Sequence, residues 1–143
     1  MLLHHARSLL FLPASNARAV EKARGLECDA VILDLEDAVP DDRKAEARTA
    51  LGGAFAQGFG PRIGAVRVNA VDSAFHADDL AGLDGVEVDL VVLPKVESGA
   101  EASAVNRSIG KPVIAMIESP LGVLNAREIA AVEGVARLFI GTN

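Results

Sequence analysis

Short continuous runs of apolar residues recur along the chain, and the stretches between them return an apolar position every three or four residues. The continuous runs, at 8–12, 30–35, 63–68, 90–93, 113–117 and 137–140, read as strands buried on both faces, the pattern of a parallel sheet covered by helices. The intervening stretches read as amphipathic helices. The first begins at Ser15 or Asn16, both good N-caps, and ends at Gly25. A second follows Pro40-Asp41-Asp42 and carries Ala45, Ala47, Ala50 and Leu51 at helical spacing. A third spans 75–83, a fourth follows Ser98 over 100–107, and a fifth covers 121–132 as one unbroken helix.

A strand–loop–helix succession of this kind folds either into an open doubly wound sheet or into a β/α barrel. An open dinucleotide-type sheet would carry Gly-x-Gly-x-x-Gly after its first strand, where this chain has Pro13-Ala14-Ser15-Asn16. Polar residues instead follow almost every strand, at Glu36 and Asp37, Arg67, Lys95 and Glu118. That distribution belongs to a barrel whose site collects residues from several strand ends. A full barrel takes eight strands and about 250 residues. The expected fold is therefore α/β, a parallel TIM-type barrel incomplete after six strands, in one domain over 1–143.

Composition narrows the picture further. Half of the 143 residues are hydrophobic, enough for a core of this size, and no low-complexity linker marks a boundary. The net charge of -6 is scattered rather than blocked, which argues against nucleic acid and against an anionic membrane surface. Cys28 is the single cysteine, so no internal disulfide forms and a cytoplasmic location is expected. Its expected role is packing, since no histidine stands in an obvious partner position. The apolar stretch near Arg7 is too short for a signal segment or a membrane span.

Chemistry concentrates where the second strand runs into three carboxylates, Leu33-Asp34-Leu35-Glu36-Asp37. Folding alone gives little reason to cluster like charges, so a cation, a substrate or a proton is expected nearby. The plainer alternative is that Asp34 and Asp37 cap a turn before the next helix. Repetition favours the first reading, because apolar runs also end in charged or amide residues at Arg67-Val68-Asn69, Lys95-Val96-Glu97 and Ile117-Glu118.

Five stretches in order, Arg7-Ser8-Leu9-Leu10-Phe11-Leu12-Pro13, Leu33-Asp34-Leu35-Glu36-Asp37-Ala38-Val39, Arg67-Val68-Asn69, Leu93-Pro94-Lys95-Val96-Glu97 and Ile117-Glu118-Ser119-Pro120-Leu121-Gly122-Val123, resemble the citrate lyase beta-subunit-like proteins of the aldolase/citrate lyase group. The resemblance covers the whole chain. It implies a Mg²⁺-dependent carbon–carbon lyase acting on a citryl-, malyl- or citramalyl-CoA type of substrate, giving acetyl-CoA and a 2-oxo acid such as oxaloacetate. It makes Glu118 a Mg²⁺ ligand, with a second ligand just beyond Asn143. Arg67 matches the residue that grips the 2-oxo acid's carboxylate, as its planar fork suits. Glu36 and Asp37 match the acidic pair beside the metal, and Arg7 and Lys95 match basic positions facing the same mouth. Lys95 either holds a substrate carboxylate or pairs with Glu36 or Glu97. A homo-oligomer is implied, with a trimer as one form.

Two other classes stay open at this point. One is a truncated, non-catalytic partial barrel, and the other a small α/β binding domain, either working only by association. A polypeptide ending at Asn143 is expected to lack turnover, because one of two ligands would be missing. His4, His5 and His76 are poor acid–base candidates by position, and Asn125 either borders the ligand cavity or lies on a surface helix.

Overall fold

In the computed structural model, which describes residues 3–141, six strands alternate with helices and all pair in parallel. The strands are β1 (Leu9–Pro13), β2 (Ala30–Asp34), β3 (Ile63–Arg67), β4 (Leu90–Leu93), β5 (Val113–Ile117) and β6 (Val135–Ile140). Their order in the sheet is their order in the chain, with no reversal at any point. That excludes the doubly wound alternative, in which strand order switches direction. The architecture is an arc of a β/α barrel, unclosed among the described residues.

The helices are α1 (Ala17–Ala23), α2 (Lys44–Gln57), α3 (His76–Ala81), α4 (Gly99–Ile109), α5 (Pro120–Leu124) and α6 (Ala126–Ala130). Asn16 caps α1 by accepting the Ala19 N–H, Ser98 caps α4 through Glu101, and Gly110 ends α4 in the left-handed region at a φ of 62°. In α2 the buried positions are Lys44, Ala47, Leu51 and Phe55, while Ala45 and Ala50 face solvent. The single helix expected over 121–132 is broken at Asn125 into α5 and α6. There the Asn125 side chain donates to the Glu97 carbonyl rather than leaving the residue on a smooth helix surface.

Alternation along the strands sorts side chains into two cores. Val31, Leu33, Leu35, Val66, Val68, Val91, Leu93, Val113, Ala115 and Ile117 pack outward under the helices. Ala30, Ile32, Ile63, Ala65, Leu90, Val92, Ile114 and Met116 pack inward and fill the concave face. The sheet is curled enough for Phe11 of β1 to meet Phe139 of β6, with ring centroids 6.1 Å apart. At the N-terminal end of the sheet, Arg137 of β6 donates to the carbonyl of Ala6, 3.2 Å away. Cys28 is half-buried against the outer core, as its expected packing role requires. Among the described residues no helix is long and apolar enough to cross a membrane.

Candidate active site

The inward rows explain where the polar residues go. Ala30 and Ile32 on β2, Ile63 and Ala65 on β3, and Ile114 and Met116 on β5 are inward, and the next step of two along each strand reaches Asp34, Arg67 and Glu118. The parallel register pairs Asp34 directly with Arg67. Three polar side chains therefore sit on top of an apolar core, at the C-terminal ends of their strands.

Asp34 is fully buried and accepts four hydrogen bonds. Its Oδ1 takes Arg67 Nε at 2.7 Å and the Glu36 N–H at 2.9 Å, and its Oδ2 takes Arg67 Nη2 at 2.6 Å and the Ala38 N–H at 2.9 Å. One carboxylate thus orients the guanidinium and also shapes the loop that carries Glu36 and Asp37. Buried Lys44 ties down the same loop by donating to the carbonyls of Leu35, Glu36 and Val39, and Asn69 adds a bond to Leu35. Asn69 is held in turn by buried Asp79, which also pairs with Arg48 at 3.0 Å.

Asp34 occupies the Nε/Nη2 edge of Arg67, and the guanidinium lies 5.2 Å from the centroid of the Phe11 ring. Nη1 points to the acidic pair, 3.3 Å from Glu36 Oε2 and 3.8 Å from Asp37 Oδ2. Lys95 reaches the same pair from β4, with Nζ 2.6 Å from Glu36 Oε1 and 3.9 Å from Asp37 Oδ1. Its backbone N–H donates to Glu118 Oε2 at 2.9 Å. Lys95 has a φ of 52°, the single left-handed non-glycine residue among those described, a conformation that costs an L-residue about 1–2 kcal/mol.

Glu118 lies against the end of β6. A Cβ placed on Gly141 would come within 2.5–2.8 Å of the Glu118 Cγ, Oε1 and Cδ, so the missing side chain makes room for this carboxylate. Under the Mg²⁺-ligand role that the resemblance implies for Glu118, the Gly141→Ala variant is expected to displace this carboxylate and lower divalent-cation affinity about tenfold while the far-UV circular dichroism spectrum stays unchanged. Isothermal calorimetry with Mg²⁺ checks it. An open cleft of about 680 Å³ is bordered by Asp37, Lys95 and Glu118, and a neighbouring one of about 580 Å³ by Glu36, Asn69 and Lys95.

The family described as HpcH/HpaI aldolase/citrate lyase matches residues 7–143. The chain belongs to that family. Over 142 residues it is 44% identical to a (3S)-malyl-CoA thioesterase of Cereibacter sphaeroides, covering 98% of this chain and 50% of the relative. It is similar to the citrate lyase beta subunit of Mycobacterium tuberculosis complexed with oxaloacetate and magnesium, at TM-score 0.86 and 37% identity, covering 99% of this chain and 60% of that one. The CitE protein of the same organism, in complex with magnesium, acetoacetate and coenzyme A, matches at TM-score 0.84 and 35% identity over 97% of this chain and 50% of that one. The chain spans about half the length of the curated relatives it matches.

Within this citrate lyase-family fold, Arg67, Glu36, Asp37, Lys95 and Glu118 are brought together by direct contacts, although Glu36 and Glu118 lie far apart in the sequence. Arg7 is not brought with them. It precedes β1, and its N–H donates to Asp29, the residue before β2, so it stands at the opposite end of the sheet and its expected place at the mouth is corrected. The position beyond Asn143, like Asn143 itself, lies outside the described residues. Lys95 pairs with Glu36 and not with Glu97, whose carboxylate instead accepts the Ser119 hydroxyl. His76 Nδ1 is hydrogen-bonded to the Asn69 carbonyl oxygen at 2.7 Å. Lys44, Asp79 and Arg48, which build the loop platform, carry no motif and were invisible to spacing.

Burial first of all raises Glu36 above the ordinary carboxylate range, against the pull of Lys95 and Arg67. Its Oε2 is buried and has no hydrogen-bond partner. Lys95 is held above its usual value by its bond to Glu36. For Arg67, burial acts against the charge, and its bonds to Asp34 together with the charges of Asp34, Glu36 and Asp37 more than offset it. The sign for folding follows directly. A carboxyl group whose folded pKa exceeds its unfolded one contributes stability at low pH that is lost as pH rises through the folded value. The Glu36→Gln variant should therefore gain stability relative to the parent as pH rises above the ordinary carboxylate value. Thermal midpoints of both proteins measured as a function of pH check this.

Proposed function

We propose that this chain forms the 2-oxo-acid end of a Mg²⁺-dependent carbon–carbon lyase that cleaves a 3-hydroxyacyl-CoA of the malyl-, citramalyl- or citryl-CoA type into acetyl-CoA and a 2-oxo acid. The observation that carries the reading is the convergence of Arg67, Lys95 and the carboxylates of Glu36, Asp37 and Glu118 over one concave apolar face. The oxaloacetate, magnesium and coenzyme A named with the similar structures support it. A cytoplasmic homo-oligomer belongs to the same proposal.

The donor chemistry fits Mg²⁺. Glu118 has one oxygen engaged by Lys95 and its other beside Gly141, and Glu36 offers a buried oxygen that accepts no hydrogen bond and faces Arg67 Nη1 at 3.3 Å. All are hard oxygen donors. Mg²⁺ is commonly bound through one or two carboxylates with several of its waters retained. Glu118 would be the protein ligand, with Glu36 and Asp37 beside it. Bound there, Mg²⁺ supplies Lewis-acid polarisation of the 2-oxo group and offsets charge developing on that oxygen.

The chain's own residues do the rest. Asp34 leaves the Nη1 side of Arg67 facing the mouth, where it can hold the carboxylate of the 2-oxo acid. The rigid β2–α2 loop keeps Glu36 and Asp37 in place without reorganisation. The inward apolar layer of Ile32, Ala65, Val92 and Met116 excludes water from below.

A second reading is thioester hydrolysis, favoured by the name of the Cereibacter relative. Product analysis separates the two. The whole protein with (3S)-malyl-CoA and Mg²⁺ is expected to form glyoxylate and acetyl-CoA, and EDTA should abolish it. Malate and free coenzyme A would instead make it a hydrolase.

A further inference from the structure

Lys95 is half exposed, with 52% of its side chain open to solvent, yet it adopts a backbone conformation that glycine would take without strain. The fold's demand at this turn is a positive φ, which any glycine satisfies. A lysine here indicates that the side chain and the backbone are needed together.

The contacts show what the conformation achieves. φ sets the angle between a residue's N–H and its side chain, and at 52° Lys95 sends its N–H to Glu118 Oε2 and its ammonium to Glu36 Oε1. The next residue, Val96, then pairs with the Met116 carbonyl at 3.0 Å. The segment is clamped from beyond by Ser119 on the Glu97 carboxylate and by Asn125 on the Glu97 carbonyl. Gly122 of α5 closes the clamp, since a Cβ there would lie 2.6 Å from the Val96 carbonyl. With the turn held on both sides, the left-handed conformation has no room to relax.

We infer that Lys95 is a positioning residue: its left-handed backbone fixes Glu118 through the N–H while its ammonium fixes Glu36, so one residue sets the placement of two carboxylates from different strand ends. Placed this way, Glu118 presents its second oxygen toward the end of β6. The consequence for cation binding rests on the Mg²⁺ reading above, but the positioning itself does not.

The test has two tiers. In the metal-free chain, amide hydrogen exchange at residue 95 should quicken at least about tenfold in Glu118→Ala, since the carboxylate is the acceptor that protects it. Lys95→Gly and Lys95→Ala remove the same ammonium and differ in tolerance of a positive φ. The Gly variant should melt a few degrees above the Ala variant, about 3 °C for a chain of this size. It should also bind Mg²⁺ about tenfold more tightly than the Ala variant, because only Gly keeps Glu118 in place without strain. Lys95→Arg, which keeps a cation, should recover part of the turnover that Lys95→Gly loses, through kcat rather than KM. Exchange at residue 95 that ignores Glu118, or Gly and Ala variants with equal melting points, would overturn the assignment. Should the parent bind no Mg²⁺ and cleave no acyl-CoA, the functional reading falls, while exchange and melting still decide the role of Lys95.

Discussion

Replacing Asp34 with Ala is expected to destabilise the fold by about 3–5 kcal/mol, the range for removing one partner of a buried ion pair. Asp34 is fully buried and holds Arg67 bidentately, so its loss leaves a buried guanidinium without its main counter-charge. The Glu36 and Ala38 N–H groups lose their acceptor at the same time. Against a total of about 5–15 kcal/mol for a typical domain, that is a large fraction. Urea unfolding reads it as a lower midpoint. A second variant, Asp34→Asn, keeps the shape but offers one acceptor oxygen for four donors, and should lie between the parent and Asp34→Ala.

The second large effect is expected from Arg67→Lys. A lysine keeps the charge but cannot hold Asp34 through one edge while presenting another to the mouth. Under the proposed function, kcat/KM should fall on the order of a thousand-fold, the equivalent of losing a buried, hydrogen-bonded charge pair. Circular dichroism should stay near that of the parent, because the lysine stem still covers the apolar layer. A drop in affinity for oxaloacetate, measured by calorimetry, should accompany the kinetic loss. An undiminished kcat/KM would remove Arg67 from the substrate site.

The strands were legible because parallel strands buried on both faces are written as unbroken apolar runs, and all six fall within two residues of their expected bounds. The break at Asn125 was not legible, since the apolar spacing over 121–132 continues through it and the cause is a hydrogen bond to Glu97 in a distant loop. The site was half visible. Glu36, Asp37, Arg67, Lys95 and Glu118 stand out as charges following apolar runs, but Asp34 read equally well as a simple turn cap. Its role as the anchor of Arg67 depends on β2–β3 register, which pairs residues 33 positions apart. Counting in steps of two from Ala30 and Ile63 would have placed both residues on the inward face. Arg7 was misplaced because the resemblance gave a role without the strand direction that puts it at the far end. The left-handed turn at Lys95 has no sequence mark, since neither glycine nor asparagine occupies it.

The most direct test of the account is a crystal structure of the chain grown with Mg²⁺ and oxaloacetate. Density for the ion about 2.1 Å from a Glu118 oxygen, with the oxaloacetate carboxylate on the Nη1 side of Arg67, is the predicted result. An ion bound elsewhere, or oxaloacetate seated away from Arg67, would contradict the convergence of these side chains on one catalytic centre.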